Sequence, residues 1–284
     1  MRMDKATIIG LLLAGTALIG GHLLEGGSLG TILQVTAMII VFGGTIGAVF
    51  ISFPRSQLRQ AWQEFHQIFR EPEDKGPAYL ARIIEFAYRG RREGMLTLEK
   101  ELPKISDPFF RRGLQLVIDG HNHQKIQEVL DVEMAHLEEN GSVPALVFET
   151  AGGYAPTIGI LGAVLGLIQV MQHLTDPAKL GTGVAVAFVA TVYGVASANL
   201  FFLPIGHKLR LRHQRRMMVK EMIMAGILGL SHGDHPRLIE EKLRGFLKDD
   251  TPAISESEGG KVRTLSPRPA AKDKTHAVSA RSVP

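Results

Sequence analysis

Two stretches decide the fold: TAGGYAPTIGILGAVLGLIQVM at residues 150–171 and LGTGVAVAFVATVYGVASANLFFLPIG at residues 180–206. Neither contains Asp, Glu, Lys or Arg across its 22 or 27 residues. A helix crosses the apolar core of a bilayer in about 20 residues, so each is long enough to span. Buried helices of soluble proteins rarely run so far without a charge. Two earlier runs behave alike: Ala6–Leu24, 19 residues with only His22 ionisable, and Leu29–Phe53, 25 residues with no charge. The 45% hydrophobic content is therefore collected into four spans rather than dispersed through a soluble core.

Charge placement gives the expected orientation. The link Glu25–Ser28 carries no Lys or Arg, and Gln172–Lys179 carries only Lys179. Pro54–Gly141 carries thirteen Lys and Arg, and the chain from His207 onward carries sixteen. Basic residues collect on the cytoplasmic side, so both segments and the N-terminus are expected there. The cluster Lys208, Arg210, Arg212, Arg215 and Arg216 beside the last span weighs most, because long segments obey the rule less strictly. No cleavable signal peptide is expected: the first apolar run follows Arg2 and Lys5 but leads into a second span without a small-residue cleavage site.

The sequence thus predicts an all-α, polytopic membrane protein with four transmembrane helices and a helical cytoplasmic domain. Residues 1–53 form the first two spans, 54–148 the main cytoplasmic domain, 149–206 the last two spans and 207–248 basic cytoplasmic helices. Residues 249–284, rich in Ser, Pro, Lys and Glu, form a tail expected to be disordered. In the middle segment Leu80, Ile83, Ile84, Ala87, Met95 and Leu98 keep helical spacing over Tyr79–Lys100, as do Ile126, Val129, Leu130, Met134 and Leu137 over Lys125–Glu139. On that reading Arg91 and Glu99 are two helical turns apart on one side of a helix.

The spans hold no carboxylate, although a membrane-embedded ionisable group is what usually marks an ion path. Either the chain conducts no ions, or a partner brings the acidic group. The last two spans do carry backbone-breaking and polar residues: Pro156, which lacks a backbone donor, Gly162 and Gly166 in a GxxxG spacing, Thr191, and Pro204. Thr191 faces an ion route or bonds back to its own helix; the residues alone leave both open. Asp119, His121 and His123 are poorly spaced for a metal, and Asp119-Gly120 fits a helix-ending turn. With no cysteine and no catalytic constellation, neither an enzyme nor a cofactor is expected, and nothing points to nucleic acid.

Several ordered motifs carry a family resemblance. Ala155-Pro156-Thr157-Ile158-Gly159 with Gly162, Ala190-Thr191-Val192-Tyr193-Gly194, and Asn199 to Pro204 resemble the A-type stator subunits of the bacterial flagellar motor, the MotA/PomA kind. Arg91 to Glu99, Asp119-Gly120-His121 and Pro236-Arg237-Leu238-Ile239 agree in kind and order, so the resemblance runs over roughly residues 5–247. It implies a plasma-membrane protein in which a ring of A subunits surrounds a B-type partner that carries the membrane aspartate and binds peptidoglycan. It also implies that Pro156, Ala163, Thr191 and Pro204 belong to the ion pathway and its coupling. Arg91, Arg92 and Glu99 would meet the rotor ring. Sodium-driven relatives have a threonine at the position of Ala163 and an acid at that of Gln34, so protons are the expected ion. The alternatives are an energiser of outer-membrane transport of the ExbB/TolQ kind, which typically has one span before its cytoplasmic domain, and a non-conducting scaffold.

Overall fold

The computed structural model describes residues 4–70, 74–172 and 177–250. The described residues are helical, without strands, and include four helices long and apolar enough to cross a membrane. The first is α1, Lys5–Leu24, capped at its start by the Asp4 side chain. It presents apolar residues outward almost all round, with Leu12, Leu13 and Ile9 each more than half exposed. A helix that is apolar on every face suits a lipid surface or partner helices, not water.

The second apolar run is not one helix, contrary to the unbroken span its composition predicts. It forms α2, Leu29–Ile32, then an extended break at Leu33 and Gln34, then α3, Val35–Met38. A π-wound turn, Ile39–Gly43, leads into α4, Gly44–Ser52. Just past that turn the Thr45 hydroxyl is 1% exposed and has no partner among the described residues.

Outside the membrane run α5, Arg55–Gln67, and α6, Gly76–Glu93. A tight helical segment, Met95–Lys104, follows, and then α7, Pro108–Ile118, whose first turn is capped by Asp107. The longest element is α8, His123–Gln172, an unbroken helix of 50 residues through Pro144 and Pro156. At 1.5 Å per residue it is about 75 Å long, so its first half is extramembrane shaft and its second half the third span. The fourth span, α9, Pro177–Ser197, passes through a π-wound turn, Ala198–Phe202, into α10, Leu203–His232. The positive-φ residue Gly233 ends α10, and α11, Pro236–Arg244, follows. Beyond Asp250 the expected tail lies outside the described residues.

The main core lies at the far end of this helical shaft. Ile83, Phe86, Phe109, Phe110, Leu114, Ile126, Leu130 and Ile223 pack there from α6, α7, α8 and α10. Phe110 sits between Tyr79 and Phe86, with ring centroids 6.0 and 5.9 Å away. The core thus braces the α6–α7 region against the two long helices that enter the membrane.

Candidate functional sites: a membrane seam and a charged tip

Small residues build the contact between α8 and α9. Ala155, Gly159, Gly162 and Gly166 are buried on α8, and Ala187, Ala190 and Gly194 on α9. A Cβ on Gly194 would fall 2.6 Å from the Ala155 carbonyl oxygen and 3.2 Å from the Pro156 Cα; one on Gly159 would fall 2.9 Å from the Ala190 oxygen. Backbone therefore meets backbone, the close approach that small residues permit between membrane helices.

The second span packs along one edge of this seam. Ile158 lies over Gly44, Ile40 over Gly162, and Val186, Val189 and Tyr193 over Ala37 and Val41. Pro156 and Ala163 are seven residues apart on α8 and so share a face, about 80° round from the seam and away from Ile158. Thr191 projects about 160° from Tyr193, which puts it too on the edge opposite the second span. The structure thus brings Pro156, Ala163 and Thr191 to one side of the α8–α9 pair, where all three are half-buried. The face around them is apolar and open: Phe188 is 70% exposed and Ile160 57%. The Thr191 hydroxyl donates to the Ala187 carbonyl at 3.2 Å, so it does bond back to its own helix, and its lone pairs are left to accept. Pro204 stands apart, exposed at the start of α10 just after the second π-wound turn.

The charged tip departs from expectation. Arg91 and Glu99 do not share a helix: α6 stops at Glu93, Gly94 turns the chain at φ +88, and Glu99 belongs to the tighter Met95–Lys104 segment. At that φ a side chain is strained, which is why glycine occupies the turn. The two-turn spacing is therefore replaced by a corner. Arg91, Arg92 and Glu99 are all exposed on it, without an ion pair among the described residues.

Glu101 is the charge that builds the corner. Its carboxylate meets Lys104 Nζ at 3.0 Å, Arg89 Nη1 at 3.2 Å and Arg82 Nη2 at 4.0 Å. Lys104 first, then Arg89, hold it below the usual carboxylate range, and Glu101 in turn raises the Arg89 guanidinium. The tip thus divides into charges that are used internally and charges that are free.

A third arrangement was not read from the sequence. The basic cluster at the start of α10 is an internal clamp. Lys208 bonds Asp4 and Thr7, the Arg210 Nε donates to Glu149 at 2.9 Å, and Arg216 takes both oxygens of Glu64 at 3.0 and 3.1 Å. Arg212 donates to the carbonyls of Gln67 and Ile68, the open end of α5. Lys208 is the main reason that Asp4 is held below its ordinary pKa. The alternation of these residues along α10 is visible in the sequence, but their partners are spread over 145 residues, from Asp4 to Glu149, and proximity cannot be read from spacing.

Beneath the clamp, His213 is 6% exposed and its Nε2 has no partner among the described residues. It borders a cavity of about 170 Å³ lined by Gln60, Glu64, Pro144, Arg216 and Lys220.

Four apolar spans, a small-residue helix pair continuing into an extramembrane shaft, and a charged corner at its tip define a multi-span membrane component. The sequence matches two protein families: the MotA/TolQ/ExbB proton channel family over residues 101–222 and the Motility protein A N-terminal family over residues 8–91. Motility protein A of Bacillus subtilis is 34% identical over 246 residues, 86% of this chain and 91% of that protein. Chemotaxis protein PomA of Vibrio alginolyticus is 32% identical over 256 residues, 90% of this chain and all of that one. The fold is similar to the C. jejuni MotAB structure, with a TM-score of 0.81 and 32% identity over 90% of this chain and 100% of that one. It is also similar to the flagellar MotAB stator complex of B. subtilis, at 0.78 and 33% over 86% and 96%. The chain belongs to the Motility protein A family, the A-type stator subunits of the flagellar motor.

Proposed function

We propose that this stator subunit couples proton flow to torque only as part of a complex. Copies of the chain, arranged in a ring, enclose a B-type partner whose single span carries the missing membrane carboxylate and whose outer domain grips peptidoglycan. The observation that carries this reading is the open face of the α8–α9 pair. It gathers Pro156, Ala163 and Thr191, yet no span of the chain holds a carboxylate. An unpaired ionisable group is costly at membrane depth, so a carboxylate supplied there by a second chain would have a function to justify it. The relatives solved as MotAB complexes support a B-type partner. Ala163, which offers no hydroxyl to replace the water shell of a sodium ion, favours protons.

In this reading the bacterial inner membrane holds the four spans, with both termini and the α5–α7 region in the cytoplasm. Arg91, Arg92 and Glu99 then face charges on the rotor ring, where exposed pairs form and release quickly because each is weak alone. Pro156 and Pro204 flank the route from ion site to tip. An energiser without a rotor is the other member of the broad channel family, but the match of residues 8–91 to a motility-specific N-terminal family favours the motor.

Reconstitution tests the partner requirement. The chain alone in liposomes under a proton gradient should show no flux above empty vesicles. Co-reconstituted with a single-span partner carrying a membrane Asp it should conduct, and Asp→Asn in that partner should abolish the current. Flux from the chain alone would refute the proposal.

A further inference from the structure

The break in the second span is bonded by a residue of the fourth. Leu33, at φ −81 and ψ 88, leaves the helical region and Gln34 is extended, so the helical ladder is interrupted there. Val35–Ser52, 18 residues, rises about 27 Å at 1.5 Å per residue, which places the break close to the far edge of the apolar core. Backbone groups left unpaired at that depth are costly unless protein or water satisfies them. Across the break the Gln34 N–H meets the Ile32 carbonyl at 3.0 Å, and Tyr193 joins the same pair: its hydroxyl donates to the Ile32 carbonyl at 2.6 Å and accepts from the Gln34 N–H at 3.3 Å. Interfacial tyrosines normally turn the hydroxyl to water. Here both of its roles go to the backbone of another span. The ring also meets Phe42 at 6.1 Å, about two turns further down the second span.

The next residue, Gly194, is the one whose Cα rests on the α8 backbone at Ala155 and Pro156. Two adjacent residues of α9 therefore fix it on two sides, to the broken span and to the proline-bearing helix. On an ideal helix Thr191 projects about 160° from Tyr193, so any rotation of α9 that opens one contact swings the other.

We propose that Tyr193 is a positioning residue: its hydroxyl latches the interrupted second span to α9 and so sets the angle at which Thr191 is presented on the open face. This rests on the reading that Thr191 borders the ion route. The phenol touches no ion; it acts through Thr191. The break gives the latch something to hold, because it brings the Ile32 carbonyl and the Gln34 N–H, two residues apart and bonded to each other, within reach of one phenol from another helix.

The test uses the complete stator complex with its partner, carrying Tyr193→Phe, Thr191→Ala or both. Removing only the hydroxyl keeps the ring contacts, so co-purification with the partner and stall torque per motor should stay at wild-type levels. Proton flux and zero-load speed should fall about fivefold, the factor that one lost hydrogen bond corresponds to. The double variant should lose no more than Thr191→Ala alone, because residues that act as one unit do not add. Losses that multiply in the double variant would overturn the latch while leaving Thr191 at the ion route. Normal flux in Thr191→Ala would overturn the route and the latch with it. Failure of Tyr193→Phe to assemble would overturn the latch as well, making the hydroxyl a folding contact.

Discussion

Arg91 and Glu99 stand on either side of the Gly94 turn, exposed and without an ion pair among the described residues, whereas Glu101 is held by three cations. An exposed charge that bonds to nothing is inexpensive to change, typically within about 0.5 kcal/mol. Reversing both, Arg91→Glu with Glu99→Lys, should therefore leave the thermal midpoint and partner binding unaltered and still suppress swimming. Reversal of the matching charges on the rotor should restore part of it. Normal motility against an unaltered rotor would make these charges an ordinary solvated face. Glu101→Gln is the contrasting variant, expected to lower the thermal midpoint because it removes the pairs that fix the corner. His213 supplies a second residue-scale expectation. Burial, opposed by Glu138 on α8 and Glu64 on α5 and reinforced by Arg216 on its own helix, holds its pKa below the ordinary value. The unfolded chain then binds the proton more readily, so stability present above about pH 6.5 falls as the pH drops through that value towards the folded pKa. The solubilised complex should lose more of its thermal midpoint between pH 7.5 and 5.5 than a His213→Gln variant does. Equal losses would assign the pH response elsewhere; the paired carboxylates Asp4 and Glu101 lose their contributions only in a more acid window.

At the scale of elements, the uncharged runs made the four spans legible, since a bilayer imposes length and apolarity directly. The turn chemistry at Asp119-Gly120 was legible too, and Gly120 has φ +73. The interruption of the second span was not. Leu29–Phe53 is evenly apolar, and the side chain that bonds the break, Tyr193, is 161 residues beyond Ile32. The corner at Gly94 was missed because a periodic pattern can continue across a turn by accident, as Met95 and Leu98 do. The seam itself was half legible: Gly162 and Gly166 were visible as a spacing, but only the structure shows that Ala190 answers the first from α9, and Ala187 and Gly183 the second. Pro156 lies beside this seam, on the open face. It cannot donate to the Gly152 carbonyl, so α8 continues there with one ladder bond fewer. Pro156→Leu restores the donor and should stiffen α8 between the proposed ion route and the shaft. Co-purification with the partner should persist while tethered cells stop turning. Rotation at normal speed would reduce the proline to a packing detail.

For the whole molecule, the clamp on α10 settles which ends belong together. Asp4 at the start of α1, Gln67 and Ile68 at the end of α5, and Glu149 on α8 all meet residues 208–216 of α10. The entry of the first span, the exit of the second and the inner end of the third therefore share one side of the membrane with α10. Charge distribution had implied the same grouping, and the structure adds the bonds that hold it: Lys208, Arg210, Arg212 and Arg216 each reach α1, α5 or α8. Two short links are left for the other side, near Gly27 and Pro177. Reporter fusions give the direct check. Fusions at residues 27 and 177 should read outside, and those at 100 and 240 inside. Because the clamp joins three helices to one, the pattern must change as a unit. A cytoplasmic signal at residue 27 would require α1 to lie on the membrane rather than cross it, and would remove Asp4 from Lys208. Replacing Lys208 and Arg212 with glutamine then separates two causes of the same topology. If charge alone sets orientation, the fusion at 27 should begin to report mixed signals. If the assembled clamp holds it, the signals should stay unmixed and only the thermal midpoint should fall.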